Sequence, residues 1–115
     1  KGKALKGSRI LVLGVTYKKD VKDLRKSPPL KLIQLLQAAG CQVDYHDPII
    51  PYLDFPGIHL TGVPLTPKAV KACDCAVIAT DHTKVDYALI RRHAKLIFDI
   101  RNVYKNNPGA KVIKL

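Results

Sequence analysis

Tyr17, Lys18, Lys19, Lys22 and Arg25 crowd into the span between Gly14 and the pair Pro28-Pro29. Lysine brings a point charge to a phosphate, arginine a fork of donors, and a tyrosine ring beside them can border a base or a sugar. The span follows Ile10-Leu11-Val12-Leu13, an apolar run that reads as a buried parallel strand, and ends at Ser27-Pro28-Pro29, which reads as a helix start. Strand-to-helix connections in α/β units usually take about 2 to 6 residues, so about a dozen polar and basic residues here point to an anionic ligand. A further cation, Arg101, follows Asp99 at the end of a later apolar run. Other readings stay open at this level: Tyr17 as packing, Lys18 and Lys19 as a solvated pair, Arg101 paired with Asp99. Arg25 beside Asp20 and Asp23 could form a surface ion pair worth about 0 to 1 kcal/mol.

The elements that must hold these residues alternate. Arg9 to Val15 reads as a strand, and Ser27 to Ala39 as a helix with Leu30, Ile33, Leu35 and Leu36 near helical period. Ser27 suits its N-cap, Pro28 the first helical position and Gly40 a left-handed C-cap. Cys41 to His46 reads as a strand with Val43 and Tyr45 on one face, ended by Asp47-Pro48. Residues 49–67 hold four prolines and two glycines and are expected to be irregular. Thr66-Pro67 opens a short helix through Ala72, Cys75 to Ala79 is a strand, Lys84 to His93 a helix and Lys95 to Ile100 a strand. Asn106 to Gly109 is a turn before a weak final strand, Lys111 to Leu115.

This alternation predicts an α/β fold: a single domain over residues 1–115 with a Rossmann-like, doubly wound parallel sheet in a three-layer α/β/α arrangement. Ligands of such folds sit outside the carboxyl ends of the strands. Four segments converge there: Gly14 to Arg25, Asp47-Pro48, Thr80-Asp81-His82 and Asp99 to Asn102. A dinucleotide fingerprint would place G-x-G-x-x-G directly after the first strand. Only Gly14 is present, with Thr16, Tyr17 and Lys19 where glycines would admit a pyrophosphate, so the span is not expected to hold one in the NAD manner.

Lys and Arg number 20 against 9 acids, all Asp, for a formal net charge of +11. Such a field favours nucleic acid, anionic membranes or phosphorylated small molecules. Aromatic-interleaved basic strands, RNP-like motifs and zinc spacings are all missing, which sets nucleic acid aside as the alternative. Cys41, Cys73 and Cys75 are odd in number and read as reduced structural residues; a metal site from Cys41, His46 and one of the other two cysteines is the minor alternative. The chain carries no Met, no apolar leader and no run approaching the roughly 18 residues of a membrane span. It reads as an excised or processed cytoplasmic domain.

Four ordered stretches carry a family resemblance: Gly14 to Pro28, Gly40 to Pro48, Ala79 to His82 and Ile97 to Asn102. In order and spacing they resemble the C-terminal, nucleotide-binding domain of the UDP-glucose/GDP-mannose dehydrogenase family, over nearly the whole chain. The resemblance implies a parent, expected to be a homo-oligomer, whose N-terminal domain binds NAD. Such an enzyme oxidises the C6 alcohol of a UDP-sugar to a carboxylate through a thioester on a cysteine upstream of this domain. No cysteine here matches that nucleophile, so the domain alone is expected to be inactive. The resemblance implies that Tyr17, Lys18 and Arg101 contact the nucleotide sugar, and that Arg25 reaches the NAD held by the other domain. Asp81-His82, Asp86-Tyr87 and Arg101-Asn102 look closer to the branch acting on UDP-N-acetylhexosamines. The competing reading is a non-catalytic basic module that binds nucleic acid or an acidic partner.

Overall fold

In the first strand, β1 (Arg9–Leu13), Ile10 and Val12 enter one core while Leu11 and Leu13 enter another. Successive side chains of a strand point to opposite faces, so a strand that is apolar at both parities needs cover on both sides. The computed structural model describes residues 7–16, 18–20, 24, 27–101, 103–104 and 112–114. Beside β1 lie β2 (Gln42–His46) on one side and β5 (Cys75–Ile78) on the other, followed outward by β6 (Ile97–Asp99) and β7 (Val112–Lys114). All four pairings are parallel, in the order β2-β1-β5-β6-β7. The chain winds one way from β1 to β2 and the other way from β5 to β7. The switch therefore falls between β1 and β5, which is where such sheets open a crevice for ligands.

One face is covered by α1 (Pro28–Ala38), whose Leu30 and Ile33 join Ile10, Val12, Val43, Cys75 and Val77. The other is covered by α2 (Pro67–Ala72) and α3 (Tyr87–His93), with Val70 and Ile90 against Leu11, Leu13, Ala76 and Ile78. The expected doubly wound, three-layer sheet is thus what the chain forms, including the weak last strand. Gly40 has φ +88° and closes α1, its N–H donating to the Gln37 carbonyl at 3.0 Å, as its place after the helix suggested. Thr66 caps α2 by accepting the Ala69 N–H at 3.1 Å. Asp86 caps α3 by accepting the Leu89 N–H at 3.1 Å, so that helix starts at Tyr87 and not at Lys84.

Two further expectations are corrected. Residues 49–67 contain an antiparallel hairpin, β3 (Tyr52–Phe55) and β4 (Ile58–Thr61), joined by Pro56-Gly57 with Gly57 at φ +80°. Leu53 and Ile58 are fully buried beside Val43 and Tyr45, so the hairpin shares one face of the sheet with α1. Each strand is only four residues long and prolines flank β3, which hid a period-2 pattern that burial makes plain. The second correction concerns β1, which stops at Leu13; Gly14 turns out of the sheet at φ +86°. The Asn106–Gly109 turn lies outside the described residues.

Candidate functional site

The first loop leaves β1 under tight steric control. A Cβ on Gly14 would lie 2.4 Å from the Thr80 carbonyl oxygen and 2.6 Å from the Thr80 Cβ, so only glycine lets the ends of β1 and β5 approach this closely. Thr80 closes the contact, its Oγ1 donating to the Thr16 carbonyl at 2.6 Å. Ser27, at the start of α1, donates its Oγ to the Val15 carbonyl at 2.6 Å and makes no side-chain cap on the helix. The loop is therefore tied to β5 on one side and α1 on the other.

Beneath it lies a buried polar cluster. Asp47, at the end of β2, accepts the Val15 N–H and the His82 Nε2 on Oδ2, each at 2.9 Å. Its Oδ1 accepts the Ile49 and Ile50 N–H groups at 2.8 and 3.1 Å. The His82 Nδ1 accepts the Asp20 N–H at 2.7 Å, which leaves the ring proton on Nε2, pointing at Asp47. The Thr16 Oγ1 sits 3.1 Å from the same Nε2 and donates to the Lys18 carbonyl at 2.8 Å. Threonine, imidazole and carboxylate here resemble a nucleophilic triad in composition only. Both oxygens face one ring nitrogen, whereas a triad uses the two nitrogens separately, and the Asp47 and His82 side chains have no solvent exposure. The cluster is a frame that joins three strand ends.

On the solvent side of this frame lie the exposed Lys18, Lys19 and Asp20, and across the edge Arg101. The Arg101 Nε donates to the Asp81 Oδ1 at 3.3 Å, with 41% of its side chain exposed. Arg101 is thus oriented by Asp81, not by Asp99. Asp99 is buried and accepts the Val103 and Tyr104 N–H groups at 2.9 and 3.0 Å. Arg101 also borders a cleft of about 260 Å³, formed with Pro28, Pro29, Leu32, Ala79 and Ile100 where α1 begins beside the ends of β5 and β6. That is below the roughly 300–1,000 Å³ of a pocket that buries a whole small ligand, so the cleft suits part of one. Tyr17 and Arg25, the other two candidate contacts, lie outside the described residues.

The helix start argues against a dinucleotide phosphate here. Phosphate sites at helix N-termini depend on free backbone N–H groups. Pro28 and Pro29 have none, and the Leu30 N–H donates to the Ser27 carbonyl at 3.2 Å. With Gly14 alone of the glycine fingerprint, the described residues do not fit the pyrophosphate of NAD. The three cysteines are buried thiols. Burial pushes the Cys75 thiol up to about 11 and Cys73 in the same direction, so neither is an activated nucleophile. No cluster of three or more metal-ligating side chains occurs among the described residues.

Segments 47–48 and 80–82 were legible in the sequence as edge segments, whereas the Asp47–His82 pair and the part of Thr16 were not. The one signal was that an aspartate directly follows β2 and a histidine lies in the connection after β5, both at the same edge.

Fold and site define a doubly wound α/β binding domain with a cationic carboxyl edge and a buried polar frame. Residues 11–106 match the model of the UDP-glucose/GDP-mannose dehydrogenase family, UDP binding domain, and the chain belongs to that family. It is 30% identical to a UDP-glucose 6-dehydrogenase of Rhizobium meliloti (strain 1021), over 96% of this chain and 26% of the relative. It is 35% identical to a UDP-N-acetyl-D-mannosamine dehydrogenase of Pyrococcus horikoshii, over 86% of this chain and 23% of the relative. Among solved structures, a UDP-D-ManNAc dehydrogenase from Pyrococcus horikoshii superposes with a TM-score of 0.72 at 28% identity, covering 96% of this chain and 26% of that one. The chain spans about a quarter of the length of these relatives.

Proposed function

We propose that residues 1–115 form the UDP-sugar-binding domain of an NAD-dependent nucleotide-sugar 6-dehydrogenase. Such an enzyme converts the C6 alcohol of a UDP-sugar to the carboxylate. The observation that carries this reading is the pair of exposed cations, Lys18 and Arg101, at the carboxyl edge of a parallel sheet in a chain of this family. Fixed cations at this edge neutralise the diphosphate, and Tyr17 borders the uridine or the sugar. The apolar cleft beside Arg101 takes the part of the ligand that needs no charge. Dinucleotide binding and the cysteine chemistry belong to the remainder of such an enzyme, and Arg25 faces the NAD held there. The chain by itself is inactive, works in the cytoplasm, and belongs to a parent that is a homo-oligomer. Its ligand is a UDP-N-acetylhexosamine in preference to UDP-glucose, a choice supported by Asp81-His82, Asp86-Tyr87 and Arg101-Asn102.

Titration of the isotope-labelled chain with UDP, UDP-glucose and UDP-N-acetylglucosamine tests this reading. Saturable amide shifts at Lys18 and Arg101 are expected, strongest with the N-acetylated sugar. Saturating UDP that moves neither residue would overturn the nucleotide site. Equal affinity for generic RNA, falling steeply with salt, would favour a basic module instead.

A further inference from the structure

We infer that Asp20, clamped by His82 and Thr83, is a positioning residue that sets the backbone presenting Lys18 to the nucleotide; this rests on the nucleotide-binding reading above. Asp20 is the one non-glycine residue with positive φ among the described residues, at 60°. That region is strained for a side chain bearing a Cβ, and aspartate is among the few types that tolerate it. A strained residue persists only where its surroundings over-determine it, and such positions gather at ligand sites.

Asp20 is over-determined by three hydrogen bonds to residues more than sixty positions away. Its N–H donates to the His82 Nδ1 at 2.7 Å. Its Oδ1 accepts the Thr83 N–H at 2.7 Å, and its Oδ2 accepts the Thr83 hydroxyl. Those two bonds from Thr83 hold the Asp20 carboxyl below its ordinary range. With 45% of its side chain exposed, Asp20 would lose little by facing water. Its carboxylate instead ties the first loop to the β5–α3 connection. His82 is immobilised from beneath by Asp47, so the clamp is anchored to the buried frame.

Lys18 lies between two restraints. Thr16 donates to its carbonyl, and the Asp20 clamp begins two residues later. A lysine on an unrestrained loop would have to be ordered at each binding event, and a prearranged one avoids that entropic cost. The clamp therefore serves affinity, whereas an ordinary loop tie would serve stability alone.

The test uses the whole 115-residue chain as wild type, Thr83→Ala, Thr83→Ser and Asp20→Gly, with UDP affinity by calorimetry and amide exchange by NMR. Thr83 is exposed, so its replacement spares the core, and Asp20→Gly keeps the positive φ while removing the carboxylate. Thr83→Ala and Asp20→Gly are each expected to weaken UDP binding about fivefold to tenfold. Exchange of the backbone amide at position 20 should accelerate in both variants while β1 and β5 amides stay protected. Thr83→Ser should restore affinity to within about twofold, since it restores the hydroxyl donor. Wild-type binding with unchanged affinity in Thr83→Ala and Asp20→Gly overturns this inference and leaves the nucleotide site standing. A wild-type chain that binds no UDP removes both.

Discussion

Arg101 and Gly14 show how much a single residue carries at this edge. Arg101 has its Nε on Asp81, and among the described residues the outer nitrogens of its half-exposed guanidinium meet no other partner and can face a ligand. Charge-assisted hydrogen bonds contribute about 1.5–3 kcal/mol each, so Arg101→Ala should weaken UDP binding at least about tenfold with the melting temperature unchanged. Calorimetric titration checks this, and an unaltered affinity would remove Arg101 from the site. Gly14 and Gly57 both have positive φ, at +86° and +80°, but only Gly14 has Thr80 against the place a Cβ would take. Gly57→Ala should cost about 1 kcal/mol, the conformational penalty alone. Gly14→Ala should cost clearly more, about 3 kcal/mol, because backbone must also move. Parallel urea denaturation of the two variants measures the difference.

At the scale of elements, the start of α1 shows a residue doing other work than its position suggests. Ser27 stands at the N-cap with extended backbone, φ −72° and ψ 118°, but its hydroxyl is a donor to the Val15 carbonyl. The helix has prolines in its first turn and gains nothing from a side-chain acceptor there. Ser27→Ala should therefore cost about 1 kcal/mol by leaving the Val15 carbonyl unpaired. Ser27→Asp, a favourable substitution at a true cap, should cost more, because a carboxylate would face a carbonyl oxygen. Urea midpoints in the opposite order would show that capping dominates. The hairpin β3–β4 makes a related point, since its place follows from burying Leu53 and Ile58 and not from strand propensity in a proline-flanked segment.

The molecule as a whole hides several weak acids. Burial pushes Tyr45 up to about 12 and Cys75 up to about 11, and raises Cys73, Tyr87 and Tyr104 as well. Each folded-state value lies above its unfolded reference, so the folded protein holds these protons more tightly. The resulting stabilisation is complete below the unfolded values of 9.0 for Cys75 and 10.0 for Tyr45, and is lost as pH rises through about 11 and about 12. The urea midpoint should hold steady to about pH 9 and fall beyond it. The net charge of +11 adds a long-range attraction for anionic ligands that salt screens.

The alternation of strand and helix, the Gly40 and Thr66 caps, and the gathering of four segments at one sheet edge were legible in the chain itself. These depend on neighbours a few residues apart, where periodicity and capping chemistry act. The same local patterns, in order, carried the family resemblance. The partners at the site depended on tertiary structure: Asp47 with His82 across 35 positions, Thr83 with Asp20 across 63, and Arg101 with Asp81 in place of the adjacent Asp99. A polar side chain can pair with any complementary group it can reach. The crossovers of the sheet bring the strand ends together, and only that packing decides which groups are within reach.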